Sequence, residues 1–365
     1  MQRQIILVAP LNWGLGHVTR CVPIIKALER MGVTVVLASD GSALQLLKAE
    51  FPHLPAFQLP SYRIRYQTNS MVWNIARQMP RITFAIRAEQ WATERLVREI
   101  GITGVISDNR YGCFSRQTSN ILLTHQIHLR LPNAALQWGA NQVLRRAFRK
   151  FDTIWIPDVA GEPNLAGELS HPALQSFDLK YIGLLSRFSS NRSAAKFQNP
   201  ISKVAIILSG PEPQRTYLEQ ILMEQALALP YKFVFVKGKT RIKEHHIMAE
   251  NVEVVSYLTS SELNELLQSS HILVCRSGYS SLMDLAALGG IKAILIPTPG
   301  QTEQEYLGNL FAEQGIVICQ KQDRVDLESG LSAVAGTSGF SATQFEMDAF
   351  EIVLKDWLHN IPCQA

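Results

Sequence analysis

Two turns between an apolar run and a helical pattern carry residues whose types and spacing could do chemistry. The first lies in IILVAPLNWGLGHVTRC, residues 5–21, where Gly14 and Gly16 precede His17 and Arg20. The glycines permit a tight turn and open space beside it. A neutral imidazole, with a pKa of about 6.5, suits proton removal near pH 7. Arg20 suits a phosphate or a carboxylate. A working histidine needs an orienting partner. Asp108, in SDNRYG directly after the strand-like GVIS, is expected at a carboxyl strand edge of the same domain. It is the expected partner of His17 or a ligand for an acceptor, with Asn109 beside it as a further acceptor or phosphate contact. The same Asp-Asn pair also fits a plain Asx turn. His125 in LLTHQ is either another site residue or a satisfied near-core histidine.

The second turn lies in HILVCRSGYSSLMDLAALGGIKAILIPTPGQTEQEYLGN, residues 271–309. A buried-type strand ends at Cys275, Arg276 to Gly278 form the turn, and a helix is expected from near Ser280. Helix starts carry free N–H groups and partial positive charge, which suits a diphosphate. Gly278 lets a backbone come close. Asp284 lies one turn beyond Ser280 on the same face and could accept two hydrogen bonds from a ribose diol. An N-cap serine and a first-turn acid read the same way without any ligand.

The elements that must position these residues alternate. IILVAP is followed by a helical pattern from about 19 to 31, then VTVVLAS; GVISD, ILLTHQ and TIWIPD follow. After SRFSSNRSAAKFQNP, a polar stretch read as a linker, come KVAIILSG, YKFVFVKG, VEVVSYL, HILVCRSG, KAILIP and IVICQ with helical patterns between them. This alternation predicts an α/β fold of two doubly wound, Rossmann-like parallel-sheet domains. The expected boundaries are 1–186 for the first domain, 187–200 for the linker and 201–340 for the second, which the family resemblance given below makes the acceptor-binding and the nucleotide-sugar donor-binding domain. A C-terminal amphipathic helix at about 341–365 should pack back on the first. Open α/β sheets bind ligands at the carboxyl ends of their strands, so two such domains should carry their chemistry on loops facing a shared cleft.

Composition narrows the classes. With 365 residues, 47% hydrophobic and 18% charged, the chain is long enough for two globular domains. It has no apolar run of membrane-spanning length, and its start reads as a first strand and not a leader. Five scattered cysteines show neither metal-ligand spacing nor a disulfide framework, so a reducing, cytoplasmic setting is expected. Residues 1–190 hold 21 Lys and Arg against 12 Asp and Glu, a net +9, whereas the rest holds 14 against 19, a net −5. A basic first half suggests an anionic partner. Two basic stretches, WNIARQMPRITFAIRAEQWATERLVRE and QWGANQVLRRAFRKF, mix Trp, Phe and Arg at helical spacing. They fit a peripheral helix on the inner face of an anionic membrane, or solvated basic helices with aromatics in the core. No nucleic-acid motif is present.

The second turn resembles the donor-nucleotide region of family-28-type GT-B glycosyltransferases, which include the N-acetylglucosaminyltransferase that makes lipid II. Arg276, Ser277, Gly278, Ser281, Asp284, Pro297, Gln304 and Asn309 fill that pattern, with Asp in place of the more frequent Glu at 284. The resemblance implies that Asp284 holds the ribose, that the Arg276–Ser281 helix start holds the diphosphate, and that the backbone near Leu258 reads a uracil. It extends to GLGHVTR, where such enzymes turn a histidine to the interdomain cleft. One departure is SGPEPQRT, where a Gly/Ser-rich loop is usual. Ser209 and Gly210 remain candidate donor contacts, but two prolines remove backbone donors. Arg215 could supply a guanidinium instead, the loop could contact the sugar through Glu212 and Gln214, or it is a stiff turn capping the next helix.

The implied activity is transfer of a sugar from a UDP-sugar to a saccharide or polyprenyl-linked acceptor, inverting, with His17 as general base and no metal or other cofactor. Two alternatives stand beside it. UDP-sugar hydrolases of nonulosonic-acid pathways share a turn close to GLGHVTRC and would use His17 to activate water. A non-catalytic nucleotide-sugar sensor would keep Asp284 and Arg276 without depending on His17.

Overall fold

The computed structural model describes residues 4–14, 16–62, 71–131, 133–171, 177–188, 203–239, 243–341 and 349–361. The chain divides into two compact units, Met1–Ser186 with Phe345–Ala365, and Arg187–Gln344. The stretch read as a linker lies, from residue 189 on, outside the described residues.

In the first unit, strands β1 (Ile5–Pro10), β2 (Thr34–Ser39), β3 (Ala56–Gln58), β4 (Gly104–Asp108), β5 (Ser119–Leu123), β6 (Thr153–Ile156) and β7 (Leu179–Tyr181) form one sheet in the order β3-β2-β1-β4-β5-β6-β7. Every pairing is parallel. Helices α1 (Gly16–Arg30), α2 (Gly41–Glu50), α3 (Met71–Ile100) and α4 (Ala134–Phe148) connect or follow these strands. Strand β1 is buried from Ile6 to Pro10 and β4 throughout, as near-continuous Val/Ile/Leu strands covered on both faces must be. The strand order reverses between β1 and β4, where Pro10 pairs with Asp108. The turns after these two strands therefore flank the switch point, the usual ligand position in such sheets.

The second unit repeats the plan. Its strands are β8 (Lys203–Ile207), β9 (Lys232–Val236), β10 (His245–Ala249), β11 (Val252–Val255), β12 (Ile272–Cys275), β13 (Lys292–Leu295) and β14 (Ile318–Cys319), in the order β10-β11-β9-β8-β12-β13-β14. Helices α5 (Gln214–Leu227), α6 (Ser260–Gln268), α7 (Tyr279–Leu288), α8 (Thr302–Glu313) and α9 (Leu327–Ala333) are distributed among and after them. Only β10 runs antiparallel among these strands, at the edge of the sheet. Here the order reverses between β8 and β12, so the loops after Ile207 and Cys275 flank the switch point. A core of Val204, Ile206, Phe233, Phe235, Val274 and Ile294 packs the sheet against its helices.

Helix α10 (Ala349–Asn360) belongs to the first unit. Trp357 donates through Nε1 to Ser119 Oγ at 2.8 Å and lies edge-on to Trp155, with ring centroids 5.7 Å apart. Gln4 donates to the Leu358 carbonyl at 2.7 Å. The helix expected at about 341–365 is thus seen over 349–360; residues 342–348 and 362–365 lie outside the described residues.

Candidate active site

In the first unit the turn after β1 and the end of β4 bring His17, Arg20, Asp108 and His125 together. Gly14 has φ +93°, a backbone that only glycine adopts without strain, and a Cβ there would meet nothing within 4 Å. Leu15 lies outside the described residues, and Gly16 opens α1. One turn of helix then sets His17 and Arg20 three residues apart on one face. His17 Nδ1 is 2.9 Å from Asp108 Oδ1. Arg20 donates from Nε to Asp108 Oδ2 at 2.7 Å and from Nη2 to Asp108 Oδ1, and its Nη1 is 2.8 Å from His125 Nδ1. Cys21, whose thiol pKa is pushed well up by burial and by Asp108, donates to Asp108 Oδ2 at 3.7 Å.

These contacts assign the protons. An arginine only donates, so His125 Nδ1 accepts and its ring proton sits on Nε2. Burial alone would raise the Asp108 carboxyl, but the Arg20 charge, with His17 adding to it, outweighs this and holds it well below the usual carboxylate range. A lone pair facing that carboxylate at 2.9 Å would be repelled. His17 Nδ1 also lies 2.9 Å from Arg20 Nη2, so that nitrogen sits between a guanidinium and a carboxylate; with the proton on Nδ1, donating to Asp108, Nε2 is the basic nitrogen. The His17 pKa lies below its ordinary value, chiefly through burial, with Asp108 pulling up and Arg20 pushing down. The ring is 15% exposed while Asp108 and Arg20 are buried, so the Nε2 edge is the reachable one. Arg20 thus meets a carboxylate, the second of its two expected partners.

Asn109 takes φ 55°, unusual for a residue with a side chain, and its Oδ1 is buried without a partner. The reason is visible on its two sides. Asp108 is pinned by Arg20, and Arg110 is pinned by a second buried network. Arg110 donates from Nε to Glu89 Oε1, from Nη1 to Asp40 Oδ1 at 2.7 Å and from Nη2 to the Pro60 carbonyl at 2.8 Å. Glu89 Oε2 accepts from Tyr62 at 2.7 Å and from the Gly112 amide at 2.9 Å. Burial disfavours the Arg110 charge, but Glu89 and Asp40 outweigh it and raise its pKa further. Sequence reasoning missed this network. Glu89 sits on a mostly basic helix, and its partner is 21 residues away with no shared motif.

In the second unit β12 delivers Cys275 to the switch point and the chain turns into α7. Gly278 occupies the N-cap position with no side-chain cap, and a Cβ there would meet nothing within 4 Å. The first turn of α7, with Ser280 and Ser281 half-buried, therefore carries no capping side chain at Gly278. Asp284 follows one turn later, with Arg187 Nε 3.8 Å from its Oδ2. Ser277 is buried and donates to the Gln304 carbonyl at 2.7 Å, tying α7 to α8. Gln304 accepts from the Thr298 amide at 2.8 Å and donates to Gln301, so its side chain braces the 298–304 loop. Ser209 and Gly210 follow β8, and Leu258 lies half-buried just before the Thr259 cap of α6.

The two arginines singled out here are differently employed from the expectation. Arg276 is buried; Nη1 donates to the Ile296 and Pro297 carbonyls, both at 3.1 Å, and Nη2 to the Gln214 carbonyl at 3.0 Å and to Gln322 Oε1 at 2.6 Å. Burial lowers its pKa to about 10, so it stays charged at neutral pH. Its guanidinium tip thus joins three loops, and no donor there is left for a diphosphate. Its Nε is the exception: it is buried without a partner, as is Thr298 Oγ1, and both lie within 4 Å of where a Gly210 Cβ would stand. Arg215 pairs with Glu212 at 2.5 Å and Glu219 at 2.8 Å. Glu212 also accepts from the Thr216 amide and hydroxyl. Glu212 thus caps the start of α5 and holds Arg215 against it, as in a stiff helix-capping turn.

With this geometry in place, comparisons with known proteins are decisive for the class. Residues 205–349 match the glycosyltransferase family 28 C-terminal domain. The chain is 23% identical over 304 residues to an uncharacterized glycosyltransferase of Methanopyrus kandleri, covering 80% of this chain and 85% of that one. It is a family-28-like GT-B glycosyltransferase. MurG of Acinetobacter baumannii superposes on it with TM-score 0.58 at 12% identity, over 98% of this chain and 99% of that one. A shorter match, 33% over 75 residues and 20% of each chain, is to the UDP-N-acetylglucosamine–N-acetylmuramyl-(pentapeptide) pyrophosphoryl-undecaprenol N-acetylglucosamine transferase of Caldanaerobacter subterraneus. Among the described residues of the glycosyltransferase, no group of three or more His, Cys, Asp or Glu side chains could hold a metal ion, and no helix is long and apolar enough to cross a membrane.

Proposed function

We propose that this glycosyltransferase takes its sugar from a UDP-sugar and passes it, with inversion, to a hydroxyl of a saccharide or polyprenyl-linked acceptor. His17 Nε2 removes the hydroxyl proton as the oxygen attacks the anomeric carbon, and UDP leaves. Asp108 fixes the ring and stabilises the imidazolium that forms. The start of α7 meets the charge that develops on the leaving diphosphate, and Asp284 accepts the ribose hydroxyls. The scheme draws on no metal ion.

The observation that carries this reading is the His17–Asp108 pair at 2.9 Å with Arg20 behind it, which leaves one basic nitrogen at the partly exposed ring edge. The UDP assignment draws on the α7 pattern and on the UDP-named relative. A lipid-linked acceptor, and contact with an anionic membrane surface, draw on α3. Arg77, Arg81, Phe84, Arg87, Trp91, Arg95 and Arg98 fall on one face at helical spacing and all are exposed, Phe84 at 70% and Trp91 at 72%.

The test is UDP release from a panel of UDP-sugars, with and without lipid-linked or saccharide acceptors, for wild type and His17→Ala. Acceptor-dependent release that His17→Ala abolishes is expected. Release in water at the full rate would make the protein a hydrolase. Tight binding without turnover, unaffected by His17→Ala, would make it a sensor.

A further inference from the structure

Two buried polar atoms of the second unit that lack a hydrogen-bond partner converge on one point. Arg276, just after β12, and Thr298, just after β13, are each 1% exposed. Arg276 Nε and Thr298 Oγ1 make no hydrogen bond among the described residues. A Cβ placed on Gly210, just after β8, would lie 3.9 Å from that Nε and 3.4 Å from that Oγ1, with no other described atom within 4 Å beyond its chain neighbours. Strands β8, β12 and β13 are adjacent in the sheet, so the point lies where their loops meet. The remaining polar groups of both residues are engaged. Arg276 Nη1 and Nη2 hold the loop after β13, the start of α5 and Gln322 after β14. The Thr298 amide donates to Gln304, and its carbonyl accepts from the Gln301 amide.

A guanidinium N–H only donates, and a hydroxyl donates or accepts, so the partner these two atoms share is an acceptor oxygen. A buried donor left unmet is costly. The point is about one atom wide and both atoms are shut away from the surface, which suits a single water and not a phosphate group. We infer that one buried water bridges Arg276 Nε to Thr298 Oγ1 and takes its third bond at the Gly210 backbone, which makes Thr298 a positioning residue for the turn after β8. Gly210 has φ +102°, a backbone that suits glycine, and a side chain there would stand where the water binds. The water extends the Arg276 strut to the Ser209–Gly210 turn, which flanks the switch point together with the turn into α7. That the fixed turn helps hold the donor rests on the UDP reading above.

Crystals of the full chain grown in chloride and in bromide test this, for wild type, Thr298→Val and Thr298→Ser, with calorimetric titration of UDP alongside. Wild type and Thr298→Ser should show one solvent peak within about 3.2 Å of Arg276 Nε and of the hydroxyl at position 298. Thr298→Val, of nearly equal shape, should lose it. Thr298→Val should bind UDP about three- to tenfold more weakly, the effect of one hydrogen bond, while Thr298→Ser binds it as wild type does. The Thr298→Val crystal itself shows that the fold is kept. No peak in wild type, or anomalous bromide density there, would overturn the bridging water. A peak in wild type with UDP affinity unchanged in Thr298→Val would overturn the positioning role. Wild type that shows the peak but binds no UDP would overturn the donor reading and leave the bridging water established.

Discussion

At the residue scale, the site depends on which way donors point. His17→Ala should cut acceptor-dependent turnover by roughly 10²–10⁴-fold, the usual worth of a general base, with UDP affinity unchanged by calorimetry. Asp284→Ala should weaken UDP by about 1.5–3 kcal/mol through lost charged hydrogen bonds, and unchanged affinity would refute its ribose role. The nearness of His17 and Asp108 was legible in the sequence because both follow apolar runs read as strands of one domain, whose carboxyl ends share an edge; that the two strands are neighbours is seen in the structure. The employment of Arg276 was not. An arginine after a strand end reads as a phosphate ligand, and only the carbonyls of Ile296, Pro297 and Gln214 around it reveal a buried strut. The way Arg20 touches Asp108 and both histidines was equally invisible, since it depends on side-chain packing among three separate elements.

At the element scale, βα alternation was legible as hydrophobic periodicity, and element boundaries near both turns fell within a few residues of expectation. The antiparallel edge strand β10 was not, because HHIMA is half polar, and His245 to Met248 are all exposed. The coupling of α3 to the loop after β4 was also hidden, although it fixes where Asp108 stands. Gly112 approaches α3 so closely that a Cβ would come 2.2 Å from the Ile86 carbonyl oxygen and 2.8 Å from Glu89 Oε2. Gly112→Ala should therefore destabilise the protein by about 1–3 kcal/mol through overpacking, read as a lower urea midpoint. Glu89→Ala should cost more, about 3–5 kcal/mol, since it leaves the Arg110 charge buried without its carboxylate partner. A midpoint unmoved by Glu89→Ala would mean that the network does not hold the loop.

At the scale of the whole molecule, charge and chemistry divide along the chain. The basic excess lies in residues 1–190, and the exposed Arg/Phe/Trp face of α3 is part of it. The protein should bind vesicles containing anionic lipid, at roughly 1 kcal/mol per surface arginine engaged, and release them at high salt as screening shortens the field. Phe84→Ser with Trp91→Ser should weaken that binding in a sedimentation assay. Equal binding to neutral vesicles, or none to anionic ones, would leave α3 an ordinary solvated helix.

The most direct test of the account is the pH dependence of kcat/KM with the best acceptor. Because burial and Arg20 depress the His17 pKa, activity should fall on the acid side only below about pH 6.5. Asp108→Asn removes the carboxylate that raises that pKa, so its residual activity should lose rate at all pH values and move the limb still lower. An acid limb above pH 6.5, or one that survives unchanged in His17→Ala, would contradict the assignment of His17 as the base.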